Sequence, residues 1–460
     1  MTGNQPTVRS KAEAAAKRVA EPRSAAGRSA ASVAWDAYSI GRHLVGQARQ
    51  APSLLSSAGD IDGGGSTRRY DRDFFLRHLK EQLLPFWQRH SVDAEYGGFV
   101  THLDRAGRWY EESKWSPMQG RMVYAFSLAY EVTGDEQYRA LADHGVEYLI
   151  RCCWDRRMGG WYRCTYRDGV VLDARKFSFD QAFACLGLVE HHAATGDEES
   201  LEYAEETFEI LERSAWDRQH LGYAEACHRN WDVFSPRRTA CIQLDAHITV
   251  LALLEASGHE RYRSRLDQLA ELITVHMRDR DRRCLLETFN ADWSYSPLAT
   301  RDRVKVGHNL KAAWLLLRTY LLTNEERYRL AALELLTWCL RHGWDRDRGG
   351  FYQHVFRNGL LASSEKLWWP ECEGLLALLL LDQVEESTDH MNLWARVADF
   401  ILASFWDSEH GEWYTSCRAD GTVLDPTKGG EAKAAYHTVQ ACAYAARYLD
   451  GELVGGRLRG

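Results

Sequence analysis

The chain has 460 residues, room for two to four ordinary domains or one large repetitive one. Apolar residues make up 45% and charged residues 27%, which excludes a mainly disordered chain. The net charge of −8 predicts no basic face and no nucleic-acid partner; the longest purely apolar run, Leu375 to Leu381, is far short of the ~20 residues that span a bilayer. Eleven cysteines, none in a CxxC pair, argue against a disulfide framework or a structural zinc and fit a reducing cytoplasm. The aromatic excess, with 17 Trp and 21 Tyr, fits a large helical core or a cleft with flat stacking walls.

Residues 1–69 read as a disordered or weakly ordered arm and linker. Met1 to Ala31 is rich in Ala, Ser and Arg, a short helix is expected near Ala34–Gln47, and Asp60–Gly65 is a flexible stretch. No apolar core of a secretory signal is present in this segment. Residues 70–452 read as one catalytic domain.

That domain is repetitive. Asp93-Ala-Glu-Tyr-Gly-Gly-Phe99 is echoed by Asp155-Arg-Arg-Met-Gly-Gly-Trp161 and Asp345-Arg-Asp-Arg-Gly-Gly-Phe351, with degenerate copies starting at Asp217, Asp279 and Asp407. The steps between starts are 62, 62, 62, 66 and 62 residues. In each repeat the Asp-Gly-Gly-aromatic stretch leads into a short β-hairpin, then a helix begins about 25 residues after the Asp. That helix stops near Gly134-Asp135, Gly196-Asp197 or Gly258-His259, where Gly accepts the left-handed conformation and Asp caps the next helix. Two helices per repeat, six times, predict an all-α fold: an (α/α)6 barrel with short β-hairpin loops at one end, preferred over an open solenoid because no capping repeats are evident.

Counting from each repeat's Asp, Arg121, Gln181, His247, His308, Glu373 and His437 fall 28, 26, 30, 29, 28 and 30 residues on. In a closed ring they converge on one mouth, which makes them candidate site residues. A second stripe, Lys114, Lys176, Arg238, Lys366 and Lys428, stands 21 residues after the Asp and is expected to anchor the hairpins, with some members reaching substrate. Three histidines raise the question of zinc, but they come from different repeats and no HxH or HExxH spacing accompanies them, so neither a metal nor another cofactor is expected.

The stretches Arg121-Met-Val-Tyr-Ala-Phe126, Asp180-Gln-Ala-Phe183, Gly307-His-Asn-Leu-Lys-Ala-Ala-Trp314, Lys366-Leu-Trp-Trp-Pro-Glu-Cys-Glu373 and Ala435-Tyr-His-Thr438 resemble the N-acylglucosamine 2-epimerase family. Its members include cellobiose 2-epimerases and mannose-type aldose–ketose isomerases. The resemblance covers about residues 70–450. It implies an (α/α)6 barrel, a small sugar substrate, acid/base histidines at His308 and His437 and, by family analogy, a homodimer. Proton removal next to a sugar carbonyl needs groups that titrate near neutrality, which imidazole does. Arg121 is expected to hold the oxyanion, Glu373 to hold a hydroxyl or orient a histidine, and Tyr124, Trp368 and Trp369 to offer flat faces.

Two positions depart from relatives. Gly307-His308-Asn309-Leu310-Lys311 carries Lys311 where relatives typically have Glu, and Asp245-Ala-His247-Ile-Thr249 carries Thr249 where relatives often have a second His. Lys311 shares a helix face with His308, so it is expected to keep His308 neutral as the first base. The reading is thus a cofactor-independent sugar 2-epimerase or aldose–ketose isomerase in the cytoplasm. The alternatives are a glycoside hydrolase using Glu373 with Asp180 or Asp245, and a catalytically silent sugar-binding or scaffolding protein.

Overall fold

The computed structural model describes residues 70–297, 301–385 and 388–452; the arm and linker expected over residues 1–69 lie outside the described residues. Twelve helices are present among the described residues. The first, α1, runs from Arg72–His78 through a π turn (Leu79–Leu83) into Leu84–His90. Six inner helices follow at the repeat period: α2 (Ser116–Thr133), α4 (Ser178–Thr195), α6 (Ala240–Ser257), α8 (Val306–Thr323), α10 (Trp368–Val384) and α12 (Tyr436–Leu449). Between them run the outer helices α3 (Glu136–Tyr148), α5 (Glu198–Ser214), α7 (Glu260–Glu271), α9 (Glu326–Trp338) and α11 (Thr388–Ser404).

The two rings differ in pattern for a physical reason. Outer helices face water on one side; α5 buries Ala204, Thr207, Phe208 and Leu211 and exposes Glu198, Glu199, Glu202, Glu206 and Glu209. Inner helices are covered on nearly all sides, and α6 is long and apolar enough to cross a membrane by length and composition, yet it is a buried inner-ring helix here. Helices α2 and α4 approach backbone to backbone: a Cβ on Gly120 would lie 2.3 Å from the Phe183 carbonyl oxygen, and one on Gly187 would lie 2.4 Å from that of Gly120.

The ring is closed. Each inner helix packs on the next, α12 packs on α10 and back on α2, and α1 serves as the outer partner of α12. The sixth hairpin is therefore assembled from the two ends of the described chain, as a closed ring of six requires.

The repeat Asp is the hub that explains the sequence period. Its carboxylate takes the lysine or arginine 21 residues on: Lys114–Asp93 at 2.8 Å, Arg238–Asp217 at 2.8 Å, Lys366–Asp345 at 2.7 Å and Lys428–Asp407 at 3.2 Å. It also takes an arginine from the next repeat's hairpin, as in Arg167–Asp93 and Arg229–Asp155, both at 2.8 Å. Arg105 of the first repeat binds Asp407 of the last at 2.7 Å, so one contact both propagates and closes the ring. The stripe of cations is fully buried in these ion pairs and offers nothing to a substrate.

The hairpins are also stitched to one another. Strand β1 (Lys114–Trp115) pairs antiparallel with β2 (Cys164–Thr165), which pairs with β3 (Val171–Asp173), so a repeat's hairpin adds to the strand preceding its neighbour's inner helix. The same arrangement recurs in β4 (Lys176–Phe177), β5 (Ala226–Cys227) and β6 (Val233–Ser235), and in β11 (Lys366–Leu367), β12 (Ser416–Cys417) and β13 (Val423–Asp425). The third and fourth junctions keep two strands each: β7 (Arg238–Thr239) with β8 (Thr288–Phe289), and β9 (Arg303–Lys305) with β10 (His354–Phe356).

Candidate active site

All six residues of the expected ring sit in the first two turns of inner helices, at the hairpin end. Their depths differ: Gln181, Arg121 and His247 stand at different offsets from the repeat Asp, and the fourth repeat carries four extra residues between Pro297 and Arg303, ahead of α8. With that insertion removed, the inner helices show three distinct layers.

The first is a clamp. Gln119, Gln181 and Gln243 each hold the backbone of the aromatic residue twenty positions earlier; Gln181 accepts from Trp161 N–H and donates to Trp161 C=O, both at 2.8 Å. Asn309, Glu371 and Lys433 occupy the same position. Gln181 is fully buried with both amide atoms engaged, so it is a structural clamp and not the substrate ligand expected from its position.

The second layer carries the charge. Arg121, Asp245, Lys311 and Glu373 share one phase and are all buried. Lys311 forms an ion pair with Asp245. Burial works to lower the Lys311 pKa, and Asp245, Tyr436 and Glu373 more than offset it. Lys311 therefore does not act on His308 as expected; its ammonium is turned across the barrel to α6. Arg121 donates to the Ala432 carbonyl at 2.6 Å and lies over the Phe183 ring at 4.0 Å. Glu373 accepts from Trp314 Nε1, and its other oxygen lies 3.2 Å from His437 Nδ1, off the line of a hydrogen bond.

The third layer separates two histidines that sequence position had equated. His247 is two turns into α6, with Nε2 3.2 Å from Thr319 Oγ1 and no solvent exposure. Burial, Arg318 and Lys311 push its pKa down to about 3. It is a core histidine, correcting its expected place at the mouth. His437, by contrast, lies in the first turn of α12, which starts six residues late in the repeat because residues 430–435 are irregular. Tyr124 is a second correction: its hydroxyl accepts from Gln440 at 2.9 Å in the core, so its ring presents no face to a sugar.

His308 lies at the first turn of α8, and its Nδ1 meets Glu287 Oε2 at 2.7 Å. Glu287 was not anticipated; it stands just before β8, 21 residues upstream, and nothing in the local sequence marks it as a partner. Burial works to raise its pKa, but His308 and Lys305 hold it below the ordinary value. Trp369 joins the two histidines, with ring centroids 5.2 Å from His308 and 6.1 Å from His437. Gly307 makes room for it, since a Cβ there would lie 2.3 Å from the Trp369 ring. Trp368 is buried against His437 and Lys433.

His437 is pushed down to about 4 by burial, with Glu373 raising it and Arg121 and Lys311 lowering it. The site thus pairs a neutral imidazole backed by Glu373 with an imidazole held by the Glu287 carboxylate. Beside His308 opens a cavity of about 460 Å³, lined by Thr239, Cys241, Glu287, Arg303, Lys305 and His354 among others. Cys241 links it to the charged layer, its Sγ lying 3.2 Å from Asp245.

Residues 97–441 match the family model described as N-acylglucosamine 2-epimerase (GlcNAc 2-epimerase). A cellobiose 2-epimerase from Bacteroides fragilis is 28% identical over 383 residues, covering 80% of this chain and 96% of that protein. The human N-acylglucosamine 2-epimerase is 27% identical over 394 residues, 81% of this chain and 89% of its own. The solved cellobiose 2-epimerase of Spirochaeta thermophila superposes with a TM-score of 0.76 at 25% identity, covering 84% of this chain and 98% of that one.

Proposed function

This chain belongs to the N-acylglucosamine 2-epimerase family, and we propose that it interconverts small aldoses by proton transfer at C2, as a 2-epimerase or an aldose–ketose isomerase. The observation that carries the reading is the pair His308 and His437 bridged by Trp369, each backed by its own carboxylate.

The chemistry follows from that pair. A neutral imidazole takes the C2 proton; the C–H electron pair becomes the C1–C2 double bond, and the carbonyl pair moves onto O1. His437, held neutral by burial, suits the base, and His308 with Glu287 suits the acid that returns a proton. Return to the opposite face of C2 restores the C1 carbonyl and gives the 2-epimer; return to C1, with the O2–H proton passing to O1 as the C2–O2 carbonyl forms, gives the ketose. Arg121 lies in the charged layer below and favours the developing enediolate by its field. This reverses the order expected from Lys311, since that ammonium is committed to Asp245.

The hydrolase reading loses its carboxylates. Asp245 is paired with Lys311, Glu373 is held between Trp314 and His437, and Asp180 is fully buried and pushed up to about 7 by burial. A cytoplasmic setting is supported by the eleven cysteines, all free thiols. Carbon NMR of free hexoses and disaccharides incubated with the protein tests the proposal. A new C2 epimer or ketose is the expected product; release of a monosaccharide from a glycoside, or no product from any sugar, refutes it.

A further inference from the structure

The cavity beside His308 has an unbalanced charge. Arg301, Arg303 and Lys305 line it, and among the described residues no carboxylate forms an ion pair with any of them. The one acidic residue in the lining, Glu287, has both oxygens engaged: Oε2 with His308 and Oε1 with the Lys305 backbone N–H at 3.2 Å. Asp302, next in sequence to Arg301, accepts instead from the Tyr295 hydroxyl at 3.2 Å. Arg303 Nε is buried without a partner.

The source of the cations is specific to this repeat. The four-residue insertion of the fourth repeat precedes β9, and it brings Arg301 to the rim. Where the first, second, fifth and sixth repeats carry the hub lysine, this repeat has Val304 with Arg303 and Lys305 on either side. These cations are thus released from the hub role that occupies the stripe elsewhere; Asp279 keeps only the arginine of the next repeat's hairpin, Arg357, among the ion pairs of the described residues. The surroundings register the excess: burial, with Lys305, Arg303 and His308 adding to it and Glu287 opposing, lowers the His354 pKa to about 4. A volume of about 460 Å³ falls within the range of small-molecule sites.

We propose that this cavity is an oxyanion subsite, so that the preferred substrate is an aldose carrying a terminal phosphate, sulfonate or carboxylate. The inference rests on the sugar-isomerase reading for the carbonyl end, which lies at His308 and His437. The anionic end is held by Arg301, Arg303 and Lys305 through charge-assisted hydrogen bonds, the geometry in which guanidinium outperforms ammonium.

Two measurements on the full chain separate this inference from its premise. Inorganic phosphate is titrated while the His354 ring proton is followed by NMR. Saturable binding that weakens with added NaCl and is lost in the folded Arg301→Ala/Arg303→Ala variant supports the subsite. Absence of binding, or binding unchanged in that variant, overturns it. Turnover is then compared for a free hexose, its 6-phosphate, the matching hexuronate and cellobiose. The subsite predicts an anionic sugar ahead in kcat/KM, with that preference reduced by about tenfold to a hundredfold in Arg303→Gln; the 6-phosphate and hexuronate arms tell phosphate from carboxylate. A free hexose or cellobiose used as well as both anionic sugars overturns the inference and leaves the isomerase reading intact. Phosphate binding that depends on Arg301 and Arg303, with no sugar converted, keeps the subsite and overturns the isomerase reading.

Discussion

Glu371 occupies a position where three other repeats place glutamine, and replacing it with glutamine is expected to stabilise the protein in a pH-dependent way. Gln119, Gln181 and Gln243 each accept from one backbone N–H and donate to the carbonyl of the same residue. Glu371 accepts from Phe351 N–H at 2.8 Å, but its second oxygen is buried with no donor. Burial pushes its pKa from the ordinary 4.5 up to about 8, with Lys366 and the Phe351 N–H opposing and Asp345 adding to the rise. The folded protein therefore holds a proton at pH 7 that the unfolded chain does not. At about 1.4 kcal/mol per pH unit, the gap between 4.5 and 7 makes that proton cost about 3 kcal/mol. Because the folded pKa is raised, the stability contributed by the neutral acid is fully present below pH 4.5 and is lost as pH rises through about 8. Urea unfolding of wild type and Glu371→Gln at pH 4, 7 and 9 should show a gap near zero at pH 4, about 3 kcal/mol at pH 7, and no further growth above the folded pKa. Gln181→Glu should install the same dependence in a second repeat. A gap independent of pH, or a less stable Glu371→Gln, would refute the reasoning.

Three other substitutions probe the site and the ring. Gly307→Ala places a methyl group 2.3 Å from the Trp369 ring, so it should cost about 1–3 kcal/mol and lower kcat by about a hundredfold as Trp369 leaves its place between the histidines; thermal melts and steady-state kinetics read both. Lys311→Met strands Asp245 as a buried charge and should destabilise by about 3–5 kcal/mol, most of it recovered in Lys311→Met/Asp245→Leu. Arg105→Ala removes one of the contacts that close the ring and, with Arg105 partly exposed, should lower the melting temperature only slightly at pH 7. Burial alone would raise the Asp407 pKa, but Arg105 and Lys428 hold it well below the ordinary 3.8. The Arg105 contribution is therefore present above pH 3.8 and should fade in acid unfolding as pH falls below it.

The fold was legible because its determinants recur. Five of the six repeat Asp pair with a cation 21 residues on, and the helix stops at Gly134, Gly196 and Gly258 adopt the left-handed conformation that glycine accepts without strain. The site was only partly legible, for two reasons. A four-residue insertion shifts α8 and α12 starts late, so counting from the Asp put His247 level with His308 and His437, although it lies two turns deep and they lie in first turns; grouping residues within a turn likewise merged Gln181 with Arg121. Partners reached through space left no local mark: Glu287 meets His308 from before β8, and Lys311 points to Asp245 on α6 rather than along its own helix. Allowing for the insertion would have set Arg121, Asp245, Lys311 and Glu373 in one charged ring from sequence alone.

The central claim is that His308 and His437 move the proton at C2. Proton NMR of an accepted aldose in D2O measures it directly, by loss of the C2–H signal. The account predicts exchange by the wild type and a fall of at least about a hundredfold in folded His308→Ala and in folded His437→Ala. Full exchange in either variant, or product formed without any solvent deuterium at C2 or C1, would contradict it.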